Sequence, residues 1–186
     1  MEKIIFEGKT KTGLPLLIRY PTTDDLQIMY TYINKLSQER TFIMYQGEEI
    51  SLAEEKKFLD EQLEKIKNNQ SVFLLAFSKN MWVGVASIEM KKLASRHEGV
   101  FGLMVAKEFR QQGIGTILLQ TIIDETLQCI PQLKIVTLGV FANNSAAIAM
   151  YKKFGFIESG RTPKGVRYRN TYIDHVYMYK LVREIS

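Results

Sequence analysis

The residues Arg110-Gln111-Gln112-Gly113-Ile114-Gly115 form a glycine-containing turn between two apolar segments. The segment before the turn, residues 99–105, is apolar and predicts a buried strand, whereas the apolar residues after the turn recur at helical spacing. Glycine lets a backbone approach a ligand closely, and the first N–H groups of a helix have no partner inside the helix. Such groups bind anions, because the helix dipole is positive at the same end. The turn therefore predicts a site for a diphosphate.

A second segment further along the chain combines a helix-capping side chain with a phenol. Its pattern is Asn144-x-x-Ala147-x-x-x-Tyr151-x-x-Phe154-Gly155-Phe156. Asn144 stands where a helix begins, and asparagine is a favoured N-cap residue. The phenol of Tyr151 is able to donate a proton. A tyrosine in an amphipathic helix is more often part of the core, so the spacing alone leaves both roles open.

The two segments, in this order and with a strand between them, resemble the GNAT family of acetyl-CoA-dependent N-acetyltransferases. Arg110-x-x-Gly113-x-Gly115 is similar to the family's loop for the diphosphate of coenzyme A, and the segment from Asn144 to Phe156 is similar to its C-terminal signature. The resemblance is strong over residues 98–160 and extends over residues 15–182. It implies an α/β fold of the α+β type, in which a central twisted mixed sheet of about six to seven strands is flanked by about four helices.

The resemblance implies acetyl-CoA as the acyl donor and no metal. Backbone N–H groups of the turn would hold the diphosphate. Arg110 would add charge or else form a salt bridge, and Gln112 stands where relatives often carry a basic residue. In the family, a bulge in the preceding strand opens a gap for the pantetheine arm, and Gly102 is compatible with such a bulge. The residues that we expect at the cofactor are Leu103, Met104, Val105, Arg110, Gln111, Gln112, Gly113, Ile114, Gly115, Thr116, Asn144 and Tyr151.

Tyr151 is the candidate general acid, and several residues are candidates for the general base. Many relatives use a glutamate on the strand before the glycine turn, and the candidates here are Glu98 and His97. Glu98 precedes Leu103 by roughly 16 Å of extended chain, so that a water relay would be needed. It is also displaced by one position from the family pattern, which turns it to the other face of the strand. Glu89 is a third candidate, and for each of these side chains a solvated surface charge is the favoured interpretation.

The resemblance implies transfer of an acetyl group to a primary amine, by direct attack in a ternary complex. We expect a small-molecule acceptor of the polyamine, amino-acid or amino-sugar type, with Glu48 and Glu49 placed to attract a cationic amine. Asp174, just before His175, resembles a recurrent family aspartate and is expected to form a structural hydrogen bond. Two alternatives remain: acetylation of a protein N-terminus or ribosomal protein, and a catalytically silent acyl-CoA-binding module.

The composition of the chain limits the number of domains, the compartment and the partners that we expect. The 186 residues, 46% of them hydrophobic and 24% charged, predict one globular domain spanning residues 1–186 with a core at about 15–182. The absence of a leader or a long apolar run predicts a cytoplasmic protein without membrane contact, and the single Cys129 is expected to be a buried apolar residue. The net charge of +5 is scattered, which argues against nucleic acid as a partner. The basic cluster Arg161, Lys164, Arg167 and Arg169 is interpreted as a solvated loop between strands or as a patch for the substrate or for the ribose phosphate of the cofactor. A homodimer is expected by analogy alone.

The elements that position these residues follow from periodicity. Strands are expected at residues 16–19, 72–77, 82–90, 99–105, 135–140, 156–159 and 172–181. Helices are expected after Thr22-x-x-Asp25, after the capping box Ser51-x-x-Glu54, after the glycine turn and over residues 145–154. The resulting order is β-α-α-β-β-β-α-β-α-β-β, with a polar loop over residues 38–49.

Overall fold

The fold is an eight-stranded mixed sheet with two helices on each face, as seen in a computed structural model that describes residues 3–184. The strands are β1 (Ile4–Lys9), β2 (Pro15–Arg19), β3 (Ser71–Ser78), β4 (Met81–Met90), β5 (Glu98–Val105), β6 (Ile135–Phe141), β7 (Ile157–Tyr168) and β8 (Thr171–Leu181). The helices are α1 (Leu26–Gln38), α2 (Leu52–Lys67), α3 (Ile114–Cys129) and α4 (Ser145–Lys153). The expected α/β architecture is confirmed.

The sheet has one more strand than the sequence predicts. Its order is β1-β2-β3-β4-β5-β6-β8-β7, and every neighbouring pair is antiparallel except β5 and β6. The additional strand is β1, which pairs with β2 at the edge of the sheet. Its weak apolar alternation gave no strand signal, so only the pairing with β2 identifies it.

The last hairpin is also longer than predicted. The basic cluster at 161–169 does not form a loop: β7 continues to Tyr168, with a register shift between Thr162 and Val166. Pro163 and Gly165 lie in this irregular stretch, where a missing N–H or side chain is tolerated. Arg161 is ion-paired with Glu158 at 2.5 Å.

Each face of the sheet covers one hydrophobic core, because successive side chains of a strand point to opposite faces. In β3, which is buried throughout, Val72 and Leu74 pack on the α3 and α4 side, whereas Phe73 and Leu75 pack on the α1 and α2 side. The side chain of Cys129, at the end of α3, is half-buried and lies 3.1 Å from the Glu125 carboxylate. It is therefore a polar contact and not the purely apolar residue that the sequence suggested.

Candidate active site

The sheet opens between β5 and β6. These two strands pair only at Glu98–Ile135, Gly99–Val136 and Val100–Thr137. On its other side, β5 stays paired with β4 through Val105 without a register shift. The expectation of a bulge in β5 is therefore wrong. The gap arises because β6 diverges from β5 after Val100.

The unpaired edge of β5 carries the odd-numbered residues, since N–H and C=O groups of successive residues point to alternate sides of a strand. Even-numbered residues bond to β4: Glu98 O accepts from Lys91, and the N–H of Ala106 donates to Val83. On the other side, His97 O accepts from Ile135 of β6. The N–H groups of Leu103 and Val105 thus point into the gap. Met104, also predicted to polarise a ligand by its main chain, directs its N–H to β4 instead.

The glycine turn lies directly before α3, as expected, and it contains two residues with left-handed backbone. Gln111 has φ of 63° and Gly113, the N-cap of α3, has φ of 85°, both in the left-handed region. A Cβ at Gly113 would meet nothing within 4 Å, so that the backbone conformation and not the space requires glycine there. The N–H of Ile117 is the first to bond within the helix, to Gly113 O, which leaves those of Ile114, Gly115 and Thr116 directed outward.

Arg110 fastens this turn to its surroundings. Its guanidinium donates to the Glu39 carboxylate at 2.8 Å and to the carbonyl of Val105 at 2.9 Å. These bonds join the turn to the ends of α1 and β5, which realises the salt-bridging alternative for Arg110. The Gln112 amide donates to Glu108 O at 3.2 Å, and Gln112 does not line the cavity beside the turn.

Two cavities meet at the gap. The turn cavity, of about 480 Å³, runs from the glycine turn to α4, and the gap cavity, of about 290 Å³, lies beside it on the α1 and α2 face of the sheet. Gly102 and Ser87 line the gap cavity. The residues that line both cavities are Phe42, Ile43, Leu103, Met104, Asn144 and Tyr151. A ligand in the turn cavity therefore reaches the gap cavity past Leu103 and Tyr151.

Tyr151 is buried at this junction. Its ring packs edge-on against Phe101 at 5.9 Å, and burial raises the pKa of the phenol to about 12. Within residues 3–184 the phenol oxygen has no hydrogen-bond partner. Asn144 caps α4, since its side chain accepts from the N–H of Ala147 at 3.3 Å, and it lines both cavities. The two roles expected for Asn144, capping and cavity lining, are geometrically compatible.

His175 of β8 also lines the gap cavity, and the sequence gave no reason to place it there. Its ring lies in the space left by Gly139 of β6, where a Cβ would come within 2.3 Å of Nε2. The ring packs against Tyr177 at 4.7 Å, and burial lowers the pKa of His175 below its usual 6.5, so the side chain is neutral at pH 7. The pairing of β6 with β8 brings His175 to the gap, and no local pattern encodes that pairing.

The three side chains proposed from the sequence as bases lie elsewhere. Glu98 is ion-paired with Lys91 at 2.6 Å, where β5 begins, and Glu89 is ion-paired with Lys65 at 2.9 Å. The carbonyl of His97 holds the start of β6. None of the three lines the turn cavity or the gap cavity. Asp174 accepts a hydrogen bond from the N–H of Lys164 at 3.1 Å, as the structural assignment predicted.

Neither a metal-binding cluster nor a membrane-spanning helix occurs among the described residues. No group of three or more His, Cys, Asp or Glu side chains within residues 3–184 could hold a metal ion. No helix in the same part of the chain has both the length and the apolar character required to cross a bilayer.

Comparison with known proteins identifies the class. The model of the acetyltransferase (GNAT) family matches residues 30–156, and the chain belongs to this family. The fold matches a GNAT-family acetyltransferase from Streptococcus pneumoniae with a TM-score of 0.81 and 27% identity, over 90% of this chain and 99% of the other. It also matches a ribosomal-protein-alanine N-acetyltransferase from Brucella melitensis with a TM-score of 0.76 and 25% identity, over 89% and 99% of the two chains.

A curated relative has a different acceptor in its name. The chain is 29% identical over 102 residues to the L-amino acid N-acetyltransferase AaaT of Escherichia coli. This match covers 53% of the present chain and 61% of the relative, so the chain spans about three fifths of that protein's length. The Brucella melitensis and Escherichia coli relatives are both named as N-acetyltransferases, and their names give different acceptors.

Proposed function

We propose that this protein transfers the acetyl group of acetyl-CoA to a primary amine of a small molecule, by direct attack of the amine on the thioester. The observation that carries this proposal is the opening between β5 and β6, with the N–H of Leu103 at the junction of the turn and gap cavities. An acyl donor that enters from the turn and an acceptor that enters from the opposite face of the sheet would meet there.

The turn cavity fits coenzyme A in its chemistry. The outward N–H groups at the start of α3 suit the diphosphate. The odd-numbered edge of β5 offers the N–H of Val105 to an amide-bearing arm such as pantetheine, in the manner of an added strand. Bound acetyl-CoA supplies an activated acyl group.

The N–H of Leu103 is suited to polarise the acyl carbonyl. It belongs to a strand fixed by continuous pairing with β4, so little reorganisation accompanies the reaction. A preorganised donor directed at an oxygen that becomes negative contributes about 3 to 4 kcal/mol in well-studied enzymes. The N–H of Leu103 would make this bond strongest as the amine adds to the carbonyl carbon.

His175 is suited to accept the proton that the amine releases. The ring is neutral at pH 7 because burial lowers its pKa, and it lines the same cavity as Leu103. A lysine-like amine has a pKa near 10.4, so its ammonium form must lose a proton before it attacks, and then another as the new bond forms. His175, and not Glu98, is therefore the proposed general base. Glu98 lies at the distant end of β5, where it is ion-paired with Lys91.

Tyr151 is suited to hydrogen-bond to the departing sulfur. A thiol has a pKa near 8.5, so full proton transfer from a phenol at about 12 to a thiolate is unfavourable by about 5 kcal/mol. The phenol therefore stabilises the sulfur mainly by hydrogen bonding. The proton that the amine releases completes the free thiol.

The test is a screen of primary amines in which the purified protein and acetyl-CoA are monitored for release of free thiol. Acceptor-dependent release, with the acetylated amine detected by mass, is the expected result. A ribosomal-protein N-terminal peptide belongs in the panel, because the Brucella melitensis relative carries that activity in its name. Preference for the peptide in kcat/KM would refute the small-molecule acceptor. Coenzyme A binding without turnover of any acceptor would instead identify a silent acyl-CoA-binding module.

A further inference from the structure

A third cavity, of about 340 Å³, adjoins the gap cavity beneath α1 and α2. We call it the acidic cavity. The two cavities share the side chains of Phe58, Phe73, Val85 and Met104. A molecule whose amine lies beside Leu103 can therefore extend between apolar walls into the acidic cavity.

Glu55 lies in this cavity on the inward face of α2, which it shares with Leu59 and Gln62. The residue is only 6% exposed, yet no group in residues 3–184 forms a hydrogen bond or an ion pair with its carboxylate. Burial raises the pKa of Glu55 above its usual 4.5, with no compensating contact. An isolated buried carboxylate is costly, and such groups are normally paired.

The other buried carboxylates of the fold follow that rule. Asp25 receives two bonds from the guanidinium of Arg19, at 2.7 and 2.8 Å, and Glu125 receives bonds from Lys3 and Tyr20. Glu55 is the exception among the buried carboxylates of the described chain. No cationic side chain of the described residues is paired with it.

The lining of the acidic cavity is negative. It contains Glu48, Glu49, Glu54 and Glu55, and none of the described residues that line it is a lysine, arginine or histidine. Glu54 is bonded to Ser51 in the capping box and Glu48 to the N–H of Gln46, so both have partners within the protein. The rest of the wall is aromatic and aliphatic, for example Trp82 and Ile33. This surface attracts a cation and repels a carboxylate.

We propose that Glu55 binds a second cationic group of the acceptor, and that the acceptor is a diamine-like molecule whose two amines are separated by an apolar chain. This inference rests on the proposed acetyl transfer and names its substrate class. The reacting amine must be neutral beside His175, so the charge that fixes the acceptor has to lie elsewhere. The apolar passage between the two cavities suits a methylene chain. An acceptor carrying an α-carboxylate, such as a free amino acid, meets no cation there.

Three acceptors that differ in one group each test the proposal: 1,5-diaminopentane, pentylamine, which lacks the second amine, and lysine, which adds a carboxylate. We expect kcat/KM to be at least about tenfold higher for the diamine than for either of the others, since a charge-assisted bond supplies about that factor. In Glu55→Gln the ratio of diamine to pentylamine should fall at least about tenfold, mainly through the KM of the diamine. Glu64→Gln, which removes an exposed carboxylate from the same helix, should keep the ratio.

A binding measurement separates this inference from the proposed function. Calorimetric titration of 1,5-diaminopentane into the protein saturated with coenzyme A should detect binding that Glu55→Gln weakens and Glu64→Gln keeps. If no amine releases thiol but this binding is found, acetyl transfer is refuted and the role of Glu55 stands. If amines react but the ratio is unchanged in Glu55→Gln, or lysine is preferred, the role of Glu55 is refuted alone. Absence of both turnover and binding refutes both proposals.

A thermal melt controls for misfolding of the variant. Glu55→Gln should melt at or above the wild-type Tm, because the change removes an unpaired buried charge.

Discussion

At the scale of single residues, the site brings together groups whose ordinary properties are altered by burial. Tyr151 and His175 occupy the gap cavity with pKa values moved in opposite directions, upward for the phenol and downward for the imidazole. Burial disfavours the charged form in both cases. Near pH 7 the phenol is therefore a donor and the imidazole an acceptor, which is the pairing that transfer from a thioester to an amine requires.

Tyr151→Phe should lower kcat by about 10² while the Kd of coenzyme A changes by less than about threefold, since only the hydrogen bond to the departing sulfur is lost. Stopped-flow thiol release and calorimetry measure the two quantities. Tyr172→Phe, which removes a hydroxyl from a side chain that is 65% exposed, serves as the control. An unchanged kcat in Tyr151→Phe would assign Tyr151 to the core alone.

The ionisation of His175 should change how kcat/KM depends on pH. Below the acceptor pKa near 10.4, log kcat/KM should rise with slope 1 as the amine loses its proton. Because His175 must also be neutral, the slope should approach 2 below its own pKa, which lies under 6.5.

The slope should stay at 1 throughout in His175→Gln, and the deficit of this variant should be largest at neutral and higher pH, where the wild-type imidazole is free to act. His97→Gln removes the chain's other histidine. In this variant the slope of log kcat/KM should still approach 2 at acid pH. A slope of 1 in the wild type over the whole acid range in which the protein stays folded would refute His175 as the base.

At the scale of elements, the proposed function assigns the binding of the acetyl donor to two parts of the fold, the glycine turn and the edge of β5. The turn offers N–H groups at the start of α3, and Arg110 ties it to Val105 O and Glu39. The turn thus keeps a fixed position relative to the strand that carries Leu103. Gly113 is the residue whose backbone makes this arrangement possible.

Gly113→Ala should destabilise the fold by about 1 kcal/mol, because a φ of 85° is unfavourable for alanine even where no atom blocks its Cβ. Coenzyme A binding should weaken as the turn relaxes. Gly113→Asn is the matched variant, since asparagine tolerates left-handed φ and should recover most of the loss. Urea unfolding and calorimetry measure the two effects. Equal behaviour of the two variants would show that the requirement is for space near the ligand and not for conformation.

At the scale of the whole molecule, the gap between β5 and β6 connects the cavities on the two faces of the sheet. The α3 and α4 face contributes the turn and Tyr151, whereas the α1 and α2 face contributes the gap cavity and Glu55. A sheet open at its centre loses inter-strand hydrogen bonds that a bound ligand restores. Ligand binding should therefore stabilise the entire fold.

Coenzyme A at a hundredfold excess over its Kd should add about 2.7 kcal/mol to the free energy of unfolding, which corresponds to a rise in Tm of about 5 to 10 °C for a chain of this size. Differential scanning fluorimetry measures the shift. Adenosine diphosphate at the same concentration, which keeps the diphosphate but lacks the pantetheine arm, should give a smaller rise because it does not reach the edge of β5. Equal shifts would place the binding entirely at the turn.

The sequence by itself determined the features that depend on neighbouring residues. The left-handed Gly113, the caps at Ser51 and Asn144, the helical faces and the family signature are local patterns, and their energetics are set within a few residues. The turn and the position of Tyr151 could be inferred for the same reason.

Only the tertiary structure decided which groups share the site. His175 reaches the gap through the pairing of β8 with β6, and Glu98 is held at the far end of β5 by Lys91. Glu55 follows the clear capping box of α2, but its lack of a partner depends on every element packed around it. A side chain's pKa, its partners and its distance from a ligand arise from residues far apart in the chain. Periodicity and spacing report only which face a residue occupies, and not what it meets there.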